Sequence, residues 1–255
     1  MQQMICISPT HDKFREITWL DLTLPTPAEN LACDEALLDA AEEQGGSPVL
    51  RFWESPSHFV VLGYANKLAE EANVEVCRAL GVPILRRCSG GGTVVQGPGC
   101  LNYSVILRID QAPELQSITG TNQWVMSRNR DAIARLLGWP VSIEGHTDLT
   151  TGQLKFSGNA QRRKREWLLF HGTFLLDFDL SLIGKVLRTP PRQPEYREQR
   201  SHAEFVTQLK LSSASVKDAL CEAWAAKAAC ASVPHERTRN LAASRYGRDE
   251  WNFSR

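Results

Sequence analysis

Apolar positions along the first half of the chain alternate between helical and strand periods. Over residues 30–43 (NLACDEALLDAAEE), Leu31, Ala32, Ala36, Leu37 and Ala40 fall at helical spacing with acids opposite, and Gly45-Gly46-Ser47-Pro48 ends the pattern. Residues 49–53 and 58–62 read as two strands joined by a Glu-Ser-Pro-Ser turn, and residues 68–80 as a second helix stopped by Gly81 and Pro83. A short strand at 84–87 runs into Ser89-Gly90-Gly91-Gly92, and the β-branched and aromatic run at 101–109 is another strand. Farther on, the pattern predicts a helix over 123–137 closed by Gly138 and Pro140, then strands over 141–144 and 154–157. One or two strands follow over 167–178, an exposed loop rich in Pro, Arg and Gln over 188–200, and helices over 215–231 and 237–245. Strands and helices mixed without strict βαβ repetition predict an α+β (mixed α/β) fold, a mixed sheet flanked by helices.

The 255 residues suffice for one large domain or two small ones. The 29 basic and 29 acidic residues cancel, so nothing global favours nucleic acid or a membrane surface, and an anion must be held by local arrangement. There is no long uncharged apolar run, and the start, MQQMICISPTHDKFREITW, has no basic region followed by an apolar stretch. Neither a membrane span nor a signal peptide is expected, and the expected compartment is the cytoplasm. The seven cysteines are irregularly spaced without a C-x-x-C pair, which supports neither a zinc ribbon nor a thioredoxin-like site. Most are expected to be small buried hydrophobes.

Candidate chemistry concentrates in three segments. In RRCSGGGTVVQGPGCLNYS (residues 86–104), three consecutive glycines let backbone approach a ligand closely, and a guanidinium beside them suits a carboxylate or phosphate. A hairpin with a glycine-rich tip and solvated arginines fits the same pattern; G-x-G-x-x-G and Walker A loops do not. In GHTDLTTGQLKFSGNAQRR (residues 145–163), strand alternation puts Leu154 and Phe156 on one face and Lys155 on the other. A lysine facing a pocket stabilises charge on a phosphoryl or carbonyl oxygen, and Asp148 could hold Mg2+. Alternatively, Lys155 is a surface residue of an edge strand and Asp148 a turn residue. In Phe170-His171-Gly172-Thr173, the histidine lies in an apolar strand, and with no cluster around His146 and His171 no zinc site is predicted.

Together these segments resemble the lipoate–protein ligase A family of the wider biotin/lipoate ligase group. The resemblance rests on Arg86-Arg87-Cys88-Ser89-Gly90-Gly91-Gly92-Thr93-Val94, Leu101-Asn102-Tyr103-Ser104, Thr147-Asp148-Leu149, Lys155-Phe156-Ser157-Gly158-Asn159-Ala160 and His171-Gly172-Thr173. Asn30-Leu31-Ala32-Cys33-Asp34-Glu35 and Trp251-Asn252-Phe253 extend it from about Leu22 to the end. It implies a ligand tunnel under the Gly-rich loop in a single catalytic domain spanning 1–255. The implied reaction joins lipoate and ATP, with Mg2+, to give lipoyl-adenylate and pyrophosphate, after which an acceptor lysine attacks the lipoyl carbonyl and releases AMP. On this resemblance Lys155 is catalytic. Arg87 holds the carboxylate or α-phosphate, Asp148 binds Mg2+ or the phosphate side, and Asn159 and Ala160 line one wall. Ser89, Gly90, Gly91, Gly92, Thr93, Val94, Val95, Gln96, Asn102, Ser157, Gly158, His171, Gly172 and Thr173 complete the lipoyl-adenylate site. Trp53, Val60, Leu62 and Gly63 supply part of an apolar groove. The implied partner is an acceptor lipoyl domain: an E2 subunit, a glycine-cleavage H protein or an H-like lipoate-binding protein.

Three departures matter. Gln96-Gly97 stands where these ligases carry His-Asp, and Cys100 stands where an asparagine precedes Leu-Asn. The chain also stops at Arg255, where two-domain ligases continue into an accessory domain. A self-sufficient ligase, the catalytic half of a two-protein ligase, and an octanoyl or lipoyl transferase using a pre-activated donor therefore stay open. Octanoyltransferases of the related type use a cysteine ahead of the lysine motif, and EGHTDL (residues 144–149) has none. Cys88 and Cys100 beside the loop are expected to pack rather than react. A non-catalytic lipoyl-binding protein is disfavoured by retention of Lys155, Arg87 and the three glycines, and a biotin ligase by the lack of a G-R-G-R-x-G-R loop.

Overall fold

The computed structural model describes residues 16–190 and 192–255. The start of the chain, where a signal peptide is not expected, lies almost wholly outside the described residues. Among the described residues, eleven strands form two sheets: β1 (Thr18–Asp21), β2 (Val49–Glu54), β3 (Phe59–Leu62), β4 (Ile84–Arg86), β5 (Val94–Gln96), β6 (Cys100–Arg108), β7 (Ser142–Glu144), β8 (Asp148–Thr151), β9 (Leu154–Arg163), β10 (Trp167–Leu175) and β11 (Ala228–Ala229). The large sheet runs β11-β1-β2-β6-β10-β9-β8-β7 and the small one β4-β3-β5. Both contain parallel and antiparallel pairs, so the expected mixed sheet is the fold found.

The helices are α1 (Pro27–Gln44), α2 (Leu68–Glu71), α3 (Val74–Ala79), α4 (Ile118–Leu137), α5 (Leu180–Val186), α6 (His202–Phe205), α7 (Ser213–Ala223), α8 (His235–Leu241) and α9 (Asp249–Asn252). Helix α1 begins ahead of its apolar period because Thr26 and Glu29 close a capping box and Pro27 fits the first turn. The helix expected at 68–80 is split: Ala72 bridges to Leu187, and Asn73 caps a new start. The expected 215–231 helix ends at Ala223, and Ala228–Ala229 pairs with β1 instead.

One face of the large sheet is covered by α4 and α7, whose Val125, Met126, Ile133, Val216 and Leu220 pack with Phe52, Tyr103, Phe156, Phe170 and Phe174. The opposite face meets α1 and the small sheet. Strands β2 and β3 do not form a hairpin as their spacing suggests, since β2 joins the large sheet and β3 the small one.

Candidate active site

On the face turned toward α1 and the small sheet, register aligns two rows of side chains. One row runs Arg51, Ser104, His171, Ala160, and the next runs Trp53, Asn102, Thr173, Gly158, Asp148. Arg51 is fully buried and donates to Asp34 Oδ1 at 2.5 Å, to Asn30 Oδ1 at 2.9 Å, and to the Asn30 and Leu22 carbonyls. This explains the Asn30 and Asp34 positions of the N-terminal motif: they neutralise a core guanidinium and accept from both of its terminal nitrogens. Burial alone would push the Asp34 carboxyl up, but Arg51 and His171 outweigh it and hold the carboxyl below its usual range. The other Asp34 oxygen lies 3.6 Å from His171 Nδ1, and His171 Nε2 is 2.6 Å from Ser89 Oγ. A serine, a histidine and a buried aspartate are thus in line, but Ser89 is fully buried and accepts from Arg87 Nε at 3.0 Å. The chain fixes the Gly-rich loop rather than exposing a nucleophile.

Arg87, expected to hold the carboxylate or α-phosphate, is bonded here to the loop itself. Its guanidinium is turned into the loop, donating to the Gly90 carbonyl at 2.6 Å, the Gly92 carbonyl at 2.8 Å and the Val61 carbonyl at 3.4 Å. Burial pulls its pKa down to about 10, which leaves it charged at neutral pH. The three glycines are solvent-exposed, as the close-approach reading requires. The loop is seated by Gly63, where a Cβ would stand 2.1 Å from the Gly91 carbonyl oxygen, and it lies over Ala160.

Arg86 serves the same loop from below. It donates to the carbonyls of Gly63, Tyr64 and Asn66 and to those of Trp251 and Asn252. In return, Trp251 Nε1 donates to the Arg86 carbonyl at 2.8 Å, and Asn252 Oδ1 accepts the Arg86 N–H at 2.9 Å. The Trp-Asn-Phe motif is therefore a brace under the strand that leads into the loop.

Lys155 reaches the site through an irregularity that alternation does not foresee. Across β8 and β9, Leu149 opposes Ser157 but Thr150 opposes Lys155, so β9 bulges at Phe156. The extra residue lets Phe156 enter the core while Lys155 turns to the face that carries Gly158 and Ala160. Its Nζ lies 2.7 Å from Asp148 Oδ1, both side chains being partly exposed. The Tyr196 hydroxyl donates to Asp148 Oδ2 at 2.7 Å. Gly158 makes room, since a Cβ there would lie 2.9 Å from Lys155 Nζ. Gly158 and Ala160 are two residues apart on β9, so the lysine and the loop sit roughly 7 Å apart along the strand.

Other expected site residues separate. The side chains of Ser157 and Asn159 point to the opposite face. Asn159 Oδ1 accepts from Tyr103 Oη–H at 2.6 Å, and its Nδ2 donates to the Thr147 carbonyl at 2.7 Å and to Ser157 Oγ. Asn159 thus does not share a wall with Ala160. Gly172 lies under that amide, with room for no side chain. Asn102, Thr173 and Gln96 form a buried polar cluster, while Thr93 accepts from Asn66 Nδ2. Val94 packs near Trp53, whereas Val95 joins Val60 and Leu62 in a separate apolar cluster. The groove expected from Trp53 with Val60 and Leu62 is therefore not one surface.

Asp148 is the expected magnesium ligand, but both its oxygens are engaged, and among the described residues no three His, Cys, Asp or Glu side chains converge. Among the described residues, the chain's own side chains do not by themselves make a metal site. Burial pushes the Cys88 thiol up to about 12 and the Cys100 thiol well above its usual value. Tyr196 was missed because its segment carries no periodic pattern; only an isolated aromatic in a polar stretch marks it.

A lysine–carboxylate pair below a glycine-rich loop, on a mixed sheet with no reactive thiol beside it among the described residues, suits carboxyl activation or acyl transfer. The lipoyl protein ligase A/B catalytic domain model matches residues 26–225, and the chain belongs to that family. It is 34% identical over 168 residues to a protein of Aeropyrum pernix assigned to lipoate-protein ligase A, which covers 66% of this chain and 61% of that protein. To the octanoyltransferase LipM of Carboxydothermus hydrogenoformans it is 28% identical, over 89% of this chain and 94% of that one. Among solved structures, the bi-partite lipoate protein ligase of Thermoplasma acidophilum, studied with its E2 lipoyl domain, superposes with a TM-score of 0.80. Its identity is 26%, over 93% of this chain and 96% of that one. A lipoate-protein ligase A bound with ATP gives 0.79 at 25% identity, over 94% and 99%. Among the described residues no helix is long and apolar enough to cross a membrane.

Proposed function

We propose that this chain is the catalytic domain of a cytoplasmic lipoate–protein ligase, which activates lipoate with ATP and passes the lipoyl group to a lysine of an acceptor lipoyl domain. The observation that carries this reading is the bulge at Phe156, which aims Lys155 onto the face below the Gly-rich loop. An ammonium there stabilises negative charge on the carboxyl and phosphate oxygens as the carboxylate attacks the α-phosphate and pyrophosphate leaves. It does so again on the carbonyl oxygen as the acceptor amine attacks and AMP leaves. Backbone of Gly90, Gly91 and Gly92 lies against the acyl-phosphate, with Ala160 and His171 opposite. Mg2+ would come with the ATP and would neutralise phosphate charge, since the chain's own side chains do not by themselves make a metal site. Lysine-linked lipoyl domains of the E2 or H-protein kind fit as acceptors, and the bi-partite relative supports a separate accessory chain for the activation step.

A second reading, acyl transfer from a pre-activated donor, is favoured by the likeness to LipM along most of the chain. A thioester on this enzyme is opposed by the buried thiols, whose raised pKa values leave little thiolate. The deciding experiment incubates the purified chain with lipoate, Mg-ATP and an apo lipoyl domain, read by mass spectrometry of the acceptor. ATP-dependent lipoylation, abolished in a folded Lys155→Ala variant, is expected. Product only from octanoyl carrier protein would establish the transferase, and product only from lipoyl-adenylate would establish half of a two-chain ligase. Normal turnover by Lys155→Ala would remove the central assignment.

A further inference from the structure

The sequence predicts only an exposed loop at 188–200, yet the segment between α5 and α7 holds the Lys155–Asp148 pair from two sides. Val206 forms a parallel bridge with Lys155, and the Thr207 N–H donates to the Lys155 carbonyl at 2.8 Å. Upstream in the same segment, Tyr196 donates to the Asp148 oxygen that Lys155 leaves free.

The tyrosine is held in place by its surroundings. Its ring packs on Phe205 with centroids 5.2 Å apart. Arg200 donates to the Tyr196 carbonyl at 2.7 Å and to the Gln153 carbonyl at 3.1 Å, tying the segment to the turn between β8 and β9. Gly145 receives it at the β7–β8 turn, where a Cβ would stand 3.4 Å from Pro194 and 3.6 Å from the Tyr196 ring. Burial, together with the negative field of Asp148, pushes the phenol well above its ordinary pKa, so it remains a donor.

Lys155 rests on Asp148, and substrate oxygens must compete with that carboxylate. A second donor weakens the hold of the carboxylate on the ammonium. It also keeps the half-buried carboxylate hydrogen-bonded once the ammonium has moved away. We infer that Tyr196 is a positioning residue, sharing Asp148 with Lys155 so that the ammonium can transfer to substrate oxygens without leaving a bare carboxylate behind. The inference rests on Lys155 acting on substrate, as proposed above. The other charged groups around the pair are Glu144 and Arg200 beside Tyr196, and Arg197 and His202.

The test reads the pair with no lipoate, octanoyl carrier protein or ATP present, so failure of the ligase reading does not mimic failure here. The full chain is pulsed with an amine-acylating reagent at fixed pH, and labelling of Lys155 is quantified against exposed Lys67. Tyr196→Phe is expected to label Lys155 about fivefold more slowly, the equivalent of one hydrogen bond of ~1 kcal/mol. Asp148→Asn is expected to label it faster, with no further change on adding Tyr196→Phe. Tyr196→3-fluorotyrosine keeps the shape with a stronger donor, so it should speed labelling even if the phenylalanine variant folds poorly. Labelling at the wild-type rate in both Tyr196 variants, or a Tyr196→Phe effect that persists in the Asp148→Asn background, would overturn the inference. In turnover, Tyr196→Phe should lower kcat and leave KM for the acceptor domain unchanged, a split that general loosening of the fold would not give.

Discussion

Replacing Gly158 with alanine moves Lys155 while sparing the sheet, and so tests whether the position of the ammonium is what matters. The new Cβ would lie 2.9 Å from Lys155 Nζ, 3.0 Å from Cε and 3.7 Å from Asp148 Oδ1. Ordinary carbon contacts sit at about 3.5–4.0 Å, so the ammonium must shift by about 0.5–1 Å. The obstructing atoms are the end of a flexible side chain, and the Gly158 backbone is not in the left-handed region. Restricting the unfolded chain contributes about 0.5–1 kcal/mol of stability, which offsets a weakened, partly solvated ion pair of similar size. Net stability should change by under about 1 kcal/mol, whereas a displacement of order 1 Å at a reacting group lowers turnover roughly 100-fold. Gly172→Ala on the neighbouring strand supplies the contrast. Its Cβ would stand 1.7 Å from Asn159 Oδ1 and 3.0 Å from the Gly158 carbonyl oxygen, a backbone atom that cannot swing away. Expelling the Asn159 amide strips partners from Tyr103 and Thr147, at about 1–3 kcal/mol for each group left unsatisfied. Urea unfolding and acceptor acylation are measured on both variants. Gly158→Ala should be stable and nearly inactive, and Gly172→Ala destabilised. If Gly158→Ala keeps activity within threefold of wild type, or if its activity and stability fall together as in Gly172→Ala, the reasoning about Lys155 fails.

Cys88→Ala and Cys100→Ala should each retain most activity, with a stability loss of about 1 kcal/mol for a small buried group, and in the native chain both thiols should resist alkylation at pH 8. Abolished turnover in either variant, with the fold intact by circular dichroism, would reinstate a thioester intermediate. Asp34 has a depressed carboxyl pKa in the folded state, so its contribution is present above the unfolded value of 3.8 and is lost as pH falls through the lower folded value. Wild-type stability should therefore drop on acidification below about pH 4. Asp34→Asn should flatten that loss and be about 3–5 kcal/mol less stable at pH 7, because it strands the buried Arg51 guanidinium. Urea unfolding at pH 7 and pH 3.5 checks both, and a variant equal to wild type at pH 7 would show that Arg51 does not need the charge.

The sequence was legible where one local rule decided the outcome. Period and breakers marked α1, α4, β6 and β10 to within a few residues, apart from the start of α4, because apolar faces and Gly or Pro stops agree there. The glycine run was legible as a place of close backbone approach, and Gly63 beneath it shows that approach. What failed was the assignment of side chains to sides. Arg87 and Arg86 look equivalent in sequence, yet one braces the loop from within through the nearby Gly90 and Gly92 carbonyls, and the other ties it to the C-terminal segment through the Trp251 and Asn252 carbonyls, far away in the chain. Strands β1, β5, β8 and β11 were missed because they are short or end-paired and carry no period of their own.

Lys155 is the instructive case. Alternation correctly separates it from Phe156, but strict continuation along β9 would place it with Ser157 and Asn159, on the face that meets Tyr103. The bulge reverses that parity within two residues, putting Phe156 in the core and Lys155 with Gly158 and Ala160. A bulge depends on the registers of β8 and β9 together, and register is a property of a strand pair, not of one strand's sequence. The glycine at 158 is the local trace of it. Strand interiors disfavour glycine unless something approaches closely, and here what approaches is the lysine side chain itself. The Lys-Phe-Ser-Gly spacing therefore has a mechanical meaning: the lysine leaves the sheet at the bulge and folds back over the glycine three residues on, where Asp148 receives it.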